Sequence, residues 1–441
     1  MQILFGIMLV ALLQVQPQDV PKGKQGTYAI TNARIETVTN GVIENGTIVI
    51  QADRIIAIGA DVTIPQGAEI IDAAGRSVYP GMIDGGTTLG LTEIGSVQET
   101  NDSRELGDIT PQMEALTAIN PNAVAIPVTR VSGVTTVVSE PSGGTLPGAA
   151  TVINLVGYTP EQMSTGTRLQ VLSWPSSGRR GRFDQRPQAD LDKAAEAAMT
   201  KLNKVFDDAE LYSRIQEAWA AGNGDRAPQF APELAALVPV VRGEMKLLVG
   251  VNRAKDIENA IDWLGERGYM AVLTGVSEGW RVADKIAESG LSVIVGPIFS
   301  TPTRPGDRYD RAYANAGLLH AAGITVAIRS GESENVRNLP FSAGFAATYG
   351  MGREEALKAV TINAAMALGI DGDYGSLEVG KKANFLVSNG DPFEPATEIS
   401  EVFIDGFRVP IDSRHIQLYK EFLNRDSGRL QPVEIVPPVR N

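Results

Sequence analysis

Two hydrophobic periodicities divide the chain. Between residues 28 and 59, YAITNARIETV and GTIVIQADRIIAIG alternate apolar and polar positions and are rich in β-branched residues, the pattern of half-buried strands, with Ala52 and Asp53 placed as a turn. The same period returns in ANFLVSNGDP and in EVFIDGFRV, which is split at Asp405-Gly406, a strong hairpin signal. The region between these ends reads differently. Short apolar runs, GMID, VTTVVSE, TVINLVG, LQVLSW, KLLVGV, MAVLTGV, LSVIVGP and ITVAIRS, are separated in several places by helical patterns. In KDIENAIDWLGERG, Ile257, Ala260, Ile261 and Leu264 recur at i, i+3, i+4 and i+7, making one buried stripe before a stop at Gly268. GWRVADKIAESG, RYDRAYANAGLLHAAG and EEALKAVTINAAMALG read the same way, and Asp190 to Gly222 forms a long helix-rich insertion or extended crossover. Strands alternating with helices predict parallel βα units, and eight of them over roughly 290 residues fit a closed (β/α)8 TIM-like barrel better than a six-stranded open sheet.

Composition narrows the chemistry. The 441 residues include no cysteine and two histidines, His320 and His415, and 39 basic against 52 acidic side chains leave a net charge of −13. A disulfide framework, a thiolate zinc site, an iron–sulfur cluster, a cysteine nucleophile and a three-histidine metal centre within one chain are all excluded. The acidic balance argues against a nucleic-acid surface. One basic stretch stands apart, SSGRRGRFDQRP, with Arg179, Arg180, Arg182 and Arg186; it reads as a solvated surface loop in preference to a site for an anion or acidic partner. The opening run ILFGIMLVALL has signal-peptide length and is too short to span a bilayer, which predicts a signal peptide over 1–18, a linker over 19–26 and a periplasmic or secreted protein with no later membrane span.

Three stretches carry a family resemblance. SVYPGMIDGGTTLGLTEIG at 77–95, LLVGVNRAKDIENAIDWL at 247–264 and AVTINAAMALGIDGDYGSLEVGKKANFLVSNGDPFE at 359–394 resemble the amidohydrolase superfamily, in particular its imidazolonepropionase-like and prolidase-like secreted members. The resemblance runs from about residue 28 to 410, with the motifs in the family's order. It implies a composite β-sandwich from both chain ends (27–79 and 371–412), a barrel over 80–370, a C-terminal helix and tail over 413–441, and an active site at the C-terminal ends of the barrel strands.

In active relatives, the resemblance implies, one or two divalent ions, often zinc, activate a water and polarise the scissile group. Here the positions aligned with the strand-one His-x-His pair are Gly86 and Thr88, the strand-five position is Gly250, strand six ends at Thr274-Gly275, and Arg329-Ser330-Gly331 stands where the family places its Asp base. No metal ligand set is assigned and no cofactor is expected, with a divalent metal, zinc in active relatives or Ca²⁺ or Mg²⁺ on converging rim carboxylates, as the open alternative. His320 reads as a helix C-terminal residue and His415 as lying beyond the sandwich strands. Carboxylates remain along the rim, Asp84, Glu93, Glu140, Glu278, Glu332 and Glu334, without the spacing of a metal loop. Asp84, Glu140 and Glu332 are the candidate catalytic groups, and Gly86, Thr88, Gly250, Asn252, Thr274 and Ser330 the candidate pocket. The Gly-rich SEPSGGTLPGAA lacks a phosphate-binding motif, and the resemblance makes it a loop over the mouth. Two functions follow: a divergent, catalytically impaired hydrolase of C–N bonds in a cyclic amide or peptide-like substrate, or a non-catalytic paralogue that binds a small ligand or assembles, with itself or with an active homologue.

Overall fold

The computed structural model describes residues 23–179, 184–223 and 226–425. The expected signal segment, residues 19–22 of the linker, Arg180, Arg182 and the tail beyond 425 lie outside the described residues. Among those described, no helix is long and apolar enough to cross a membrane.

The alternating ends make one mixed sheet. Its strands are β1 (Lys24–Gln25), β2 (Thr27–Glu36), β3 (Val42–Gln51), β4 (Arg54–Gly59), β5 (Glu69–Asp72) and β6 (Ser77–Pro80), joined later by strands from the other end of the chain. The barrel strands follow: β7 (Met82–Thr87), β8 (Val134–Ser139), β9 (Gly148–Asn154), β10 (Ser164–Ser173), β11 (Leu247–Val251), β12 (Ala271–Gly275), β13 (Val293–Val295) and β14 (Val326–Ile328). The chain then returns to the first sheet as β15 (Phe385–Ser388), β16 (Ile399–Ile404) and β17 (Phe407–Val409). The N-terminal strands cannot close alone because β15 pairs antiparallel with β6, and Phe385 and Phe403 fill the core that Tyr28, Ile30, Ile48 and Ile50 begin. At the β16–β17 hairpin, Asp405 and Gly406 both take left-handed backbone (φ 48° and 73°), and a Cβ on Gly406 would lie 1.6 Å from the Ala52 carbonyl, so only glycine fits.

The eight apolar runs of the middle become the eight barrel strands in order, β7 to β14. One direction differs from the expectation of parallel units: β9 runs antiparallel to both β8 and β10. Loop length explains it. Only residues 140–147 separate β8 from β9, and a single short helix, Pro160–Met163, precedes β10, whereas a parallel crossover needs a dozen or more residues. The seam between β7 and β14 is closed by the Gly331 N–H donating to the Gly86 carbonyl at 3.0 Å. The long helix Gln188–Ala220 and the helix Pro232–Val241 form the β10–β11 crossover.

Two helical expectations need correction. EEALKAVTINAAMALG forms two helices, Arg353–Ala359 and Ile362–Leu368, because the Val360 carbonyl leaves the helix to accept the Ile83 N–H at 2.7 Å. GWRVADKIAESG is a 3-10 turn, Gly279–Arg281, and a short helix, Ala283–Ser289. The break at Val360 has a use: Ala364, Ala365, Leu368 and Tyr374 plug one end of the barrel against the inward residues Ile83, Val138, Val152, Val171, Leu248, Val272, Ile294 and Ala327.

Candidate functional site

Continuing the inward alternation by two residues along the parallel strands brings Gly85, Glu140, Ser173, Gly250, Thr274, Gly296 and Arg329 to the open end of the barrel. Side chains vanish at three of these positions, and one long side chain fills the space. Arg329 donates Nη1 to Thr274 Oγ1 at 2.7 Å and to Glu140 Oε2 at 3.2 Å, while Nη2 meets Glu140 Oε1. Both partners are largely buried, with side chains 11% and 14% exposed. Glycine is required around this bridge. A Cβ on Gly86 would lie 2.8 Å from Arg329 Cζ, and one on Gly296 would lie 2.9 Å from Arg329 Cγ.

Asp84 has a different part. It is wholly buried, and its carboxylate accepts the N–H of Gly86 at 3.0 Å and the N–H of Ser330 at 3.1 and 3.2 Å, which staples β7 to the end of β14. Burial pushes its pKa up to about 6, against the lowering effect of those hydrogen bonds and the nearby Arg329. A carboxylate so enclosed holds the barrel seam and presents no face to a ligand.

The remaining expected residues separate into near and far. Gly250 pairs in register with Thr274, and Ser330 follows Arg329, so these belong to the mouth. Thr88 starts the turn after β7, its carbonyl accepting the N–H groups of Leu91 and Thr92. Asn252 is held in the rim loop by Ser277 Oγ at 2.8 Å. Glu332 is exposed and engaged by Asn335 Nδ2 at 2.9 Å, Glu93 accepts Asn120 Nδ2 at 2.9 Å, and Glu334 accepts the Ser333 hydroxyl at 3.1 Å. Glu278 is clamped by Arg304 at 2.5 and 2.6 Å, by Thr303 and by the Ala254 N–H; despite the desolvation that opposes it, these donors hold its pKa down at about 2. His320 lies near the end of the helix Arg311–Ala321 with Nδ1 3.9 Å from Glu355, and His415 is on the exposed face of the helix Arg414–Leu423.

Among the described residues no three His, Cys, Asp or Glu side chains gather where a metal ion could be held. The divalent ion that the resemblance implies does not fit this mouth, because a guanidinium lies against Gly86, where the resemblance would place one of the imidazole pair, and takes Glu140 for itself. Arg329 was not among the candidates from sequence. The signal was present in ITVAIRS, where Ala327 and Arg329 share the inward face, and in the glycines opposite, whose purpose shows only when the arginine is in place.

A barrel with an inserted long crossover, completed by a β-unit from both chain ends, defines a composite barrel-and-sheet architecture. In solved structures the same fold appears in an amidohydrolase from Thermotoga maritima (TM-score 0.77, 23% identity, covering 87% of this chain and 99% of that one) and in a prolidase complexed with N-methylphosphonate-L-proline (TM-score 0.53, 15% identity, 87% and 99%). The amidohydrolase family model matches residues 312–409, and an imidazolonepropionase from Syntrophobacter fumaroxidans is 36% identical over 109 residues, 24% of either chain. The matched segment is thus about a quarter of that relative's length. Over these segments the chain resembles the amidohydrolase superfamily, and its fold is that of the two solved structures.

Proposed function

We propose that this protein receives a small amide-like molecule at its barrel mouth and does not hydrolyse it by the metal-activated water of its active relatives. The observation that supports this reading is the Arg329 guanidinium packed against Gly86 and paired with Glu140, a fixed cation at the place where a catalytic ion and its ligands would converge. A bound metal would have to approach that cation with Glu140 already engaged, and a cation lacking imidazole ligands there would meet only repulsion. The chain's own residues can still orient a ligand. Thr274 and Glu140 hold Arg329 at the centre, where its remaining N–H groups suit a carbonyl oxygen.

The likeness to imidazolonepropionases supports a second reading, a hydrolase of C–N bonds in a cyclic amide or peptide-like substrate that works without the ion, with Glu140 as its base. Export to the periplasm and assembly with an active homologue belong to the proposal as well. Metal content and turnover separate the readings. Dialysed against trace zinc, the purified protein should hold no stoichiometric divalent ion by elemental mass spectrometry and should not cleave cyclic amides or N-acyl amino acids. Stoichiometric zinc overturns the proposal; metal-free turnover abolished by Glu140→Gln establishes the second reading instead.

A further inference from the structure

A cavity of about 490 Å³ opens on the same rim, over the ends of β10 and β11, with Trp174, Gly250 and Asn252 in its wall. Its volume lies in the range of small-molecule sites. Its outer wall includes Ser176, Gly178, Arg179 and Arg186, described members of the stretch that sequence alone assigns to solvent, together with Arg253 from the loop after β11. A Cβ on Gly178 would lie 2.0 Å from Arg253 Nε, so the absence of a side chain there lets this guanidinium pack against the loop. Arg253 Nη2 donates to the Arg179 carbonyl at 3.2 Å, and Arg179 Nη1 donates to the Asp184 carbonyl at 2.6 Å. Each guanidinium thus spends one donor on a neutral oxygen, and neither pairs with a carboxylate among the described residues. Arg186, in contrast, is neutralised by both oxygens of Asp184, at 2.9 and 2.6 Å.

The carboxylates in the wall are occupied. Asp108 accepts the N–H and hydroxyl of Thr145, both at 3.0 Å, and Asp256 accepts the Ser176 hydroxyl. In a chain of net charge −13, Arg179 and Arg253 are two wall guanidiniums that no carboxylate bonds among the described residues. The two carboxylates beside them already engage neutral donors, so guanidinium donors stay free for an oxyanion in a largely polar cavity. Guanidinium forks match oxyanions in geometry as well as charge.

We infer that this cavity binds the anionic end of a small ligand, a carboxylate or phosphate, between Arg179 and Arg253, with the rest of the molecule against Trp174 and toward the glycine-lined mouth. This deepens the proposed function, on whose reading of the mouth as a ligand pocket it rests.

The test is titration of the full-length protein with glutarate, inorganic phosphate and neutral glutaramide, read by calorimetry and by the fluorescence of Trp174. Glutarate or phosphate should bind, and Arg179→Met or Arg253→Met should each weaken binding by about tenfold, the worth of one charge-assisted contact. Arg308→Met, whose guanidinium pairs with Asp310, is the control and should bind as the parent does. The two anions distinguish a carboxylate from a phosphate ligand. Equal affinity for glutarate in the parent and the Arg179→Met/Arg253→Met protein overturns the inference. Binding of glutaramide alone, unchanged in those variants, overturns it while sparing the pocket; failure of all three probes to bind overturns it together with the pocket reading.

Discussion

Glu140→Met leaves Arg329 in place without its counter-ion. Side chains 11% and 14% exposed put the pair close to a buried one, for which removing one partner costs about 3–5 kcal/mol because the other charge stays desolvated. Arg329 keeps its 2.7 Å bond to Thr274 and some solvent, so the lower end applies, about 3 kcal/mol. The double variant Glu140→Met/Arg329→Met should recover nearly all of this, landing within about 1 kcal/mol of the parent, since two flexible apolar chains replace the ions in a space that the glycines keep open. Urea unfolding followed by tryptophan fluorescence is suited to the comparison, because all four tryptophans, at 174, 219, 263 and 280, lie in the barrel or its crossover helix. If the double variant is as unstable as Glu140→Met alone, an unpaired charge is not the cause and the bridge is simply well packed. A loss below about 0.5 kcal/mol in the single variant would place the pair in the class of exposed surface bridges and refute its desolvation.

Gly86→Ala should destabilise the protein by about 1–3 kcal/mol, because its Cβ must displace the Arg329 guanidinium; the same substitution in an Arg329→Met background should cost much less, and equal losses would contradict the contact. Asp84 has a folded pKa of about 6, above its unfolded value of about 3.9, so the folded state binds the extra proton between these values and Asp84's contribution to stability falls as pH rises through that window. The stability difference between parent and Asp84→Asn should therefore drift against the parent by up to about 3 kcal/mol from pH 4 to pH 7, and a flat difference across that range refutes the burial argument. Glu278 is shifted the other way, so its contribution is present above its unfolded pKa and is lost as pH falls toward 2; Glu278→Gln should release the 299–310 loop that Arg304 and Thr303 anchor, seen as faster limited proteolysis there at neutral pH.

The strands were legible because each carries its own evidence: eight apolar runs bounded by turns became eight barrel strands, and Asp405-Gly406 became the hairpin. Direction was also written in the chain, in the brevity of 140–147, but periodicity reports only which residues are inward and says nothing of which way a strand runs. The break at Val360 was hidden because the hydrogen bond that produces it comes from Ile83, far away in sequence. Arg329 was illegible for a related reason. Its importance lies in what Gly86, Gly296, Thr274 and Glu140 do around it, and those four residues stand on four different strands or strand ends.

The scarcity of histidine therefore acquires a physical counterpart at the barrel mouth. Losing metal ligands from such a site would strand its carboxylates in a low-dielectric end of the barrel, where an unpaired charge is costly. Here each of the two carboxylates is answered by the chain itself: Asp84 by the N–H groups of Gly86 and Ser330, Glu140 by the guanidinium of Arg329. Glycine at 86 serves both, giving Asp84 a donor close at hand and giving Arg329 the space to reach Glu140. A histidine at that position would supply an imidazole only by evicting the arginine, since a Cβ there already lies 2.8 Å from Arg329 Cζ.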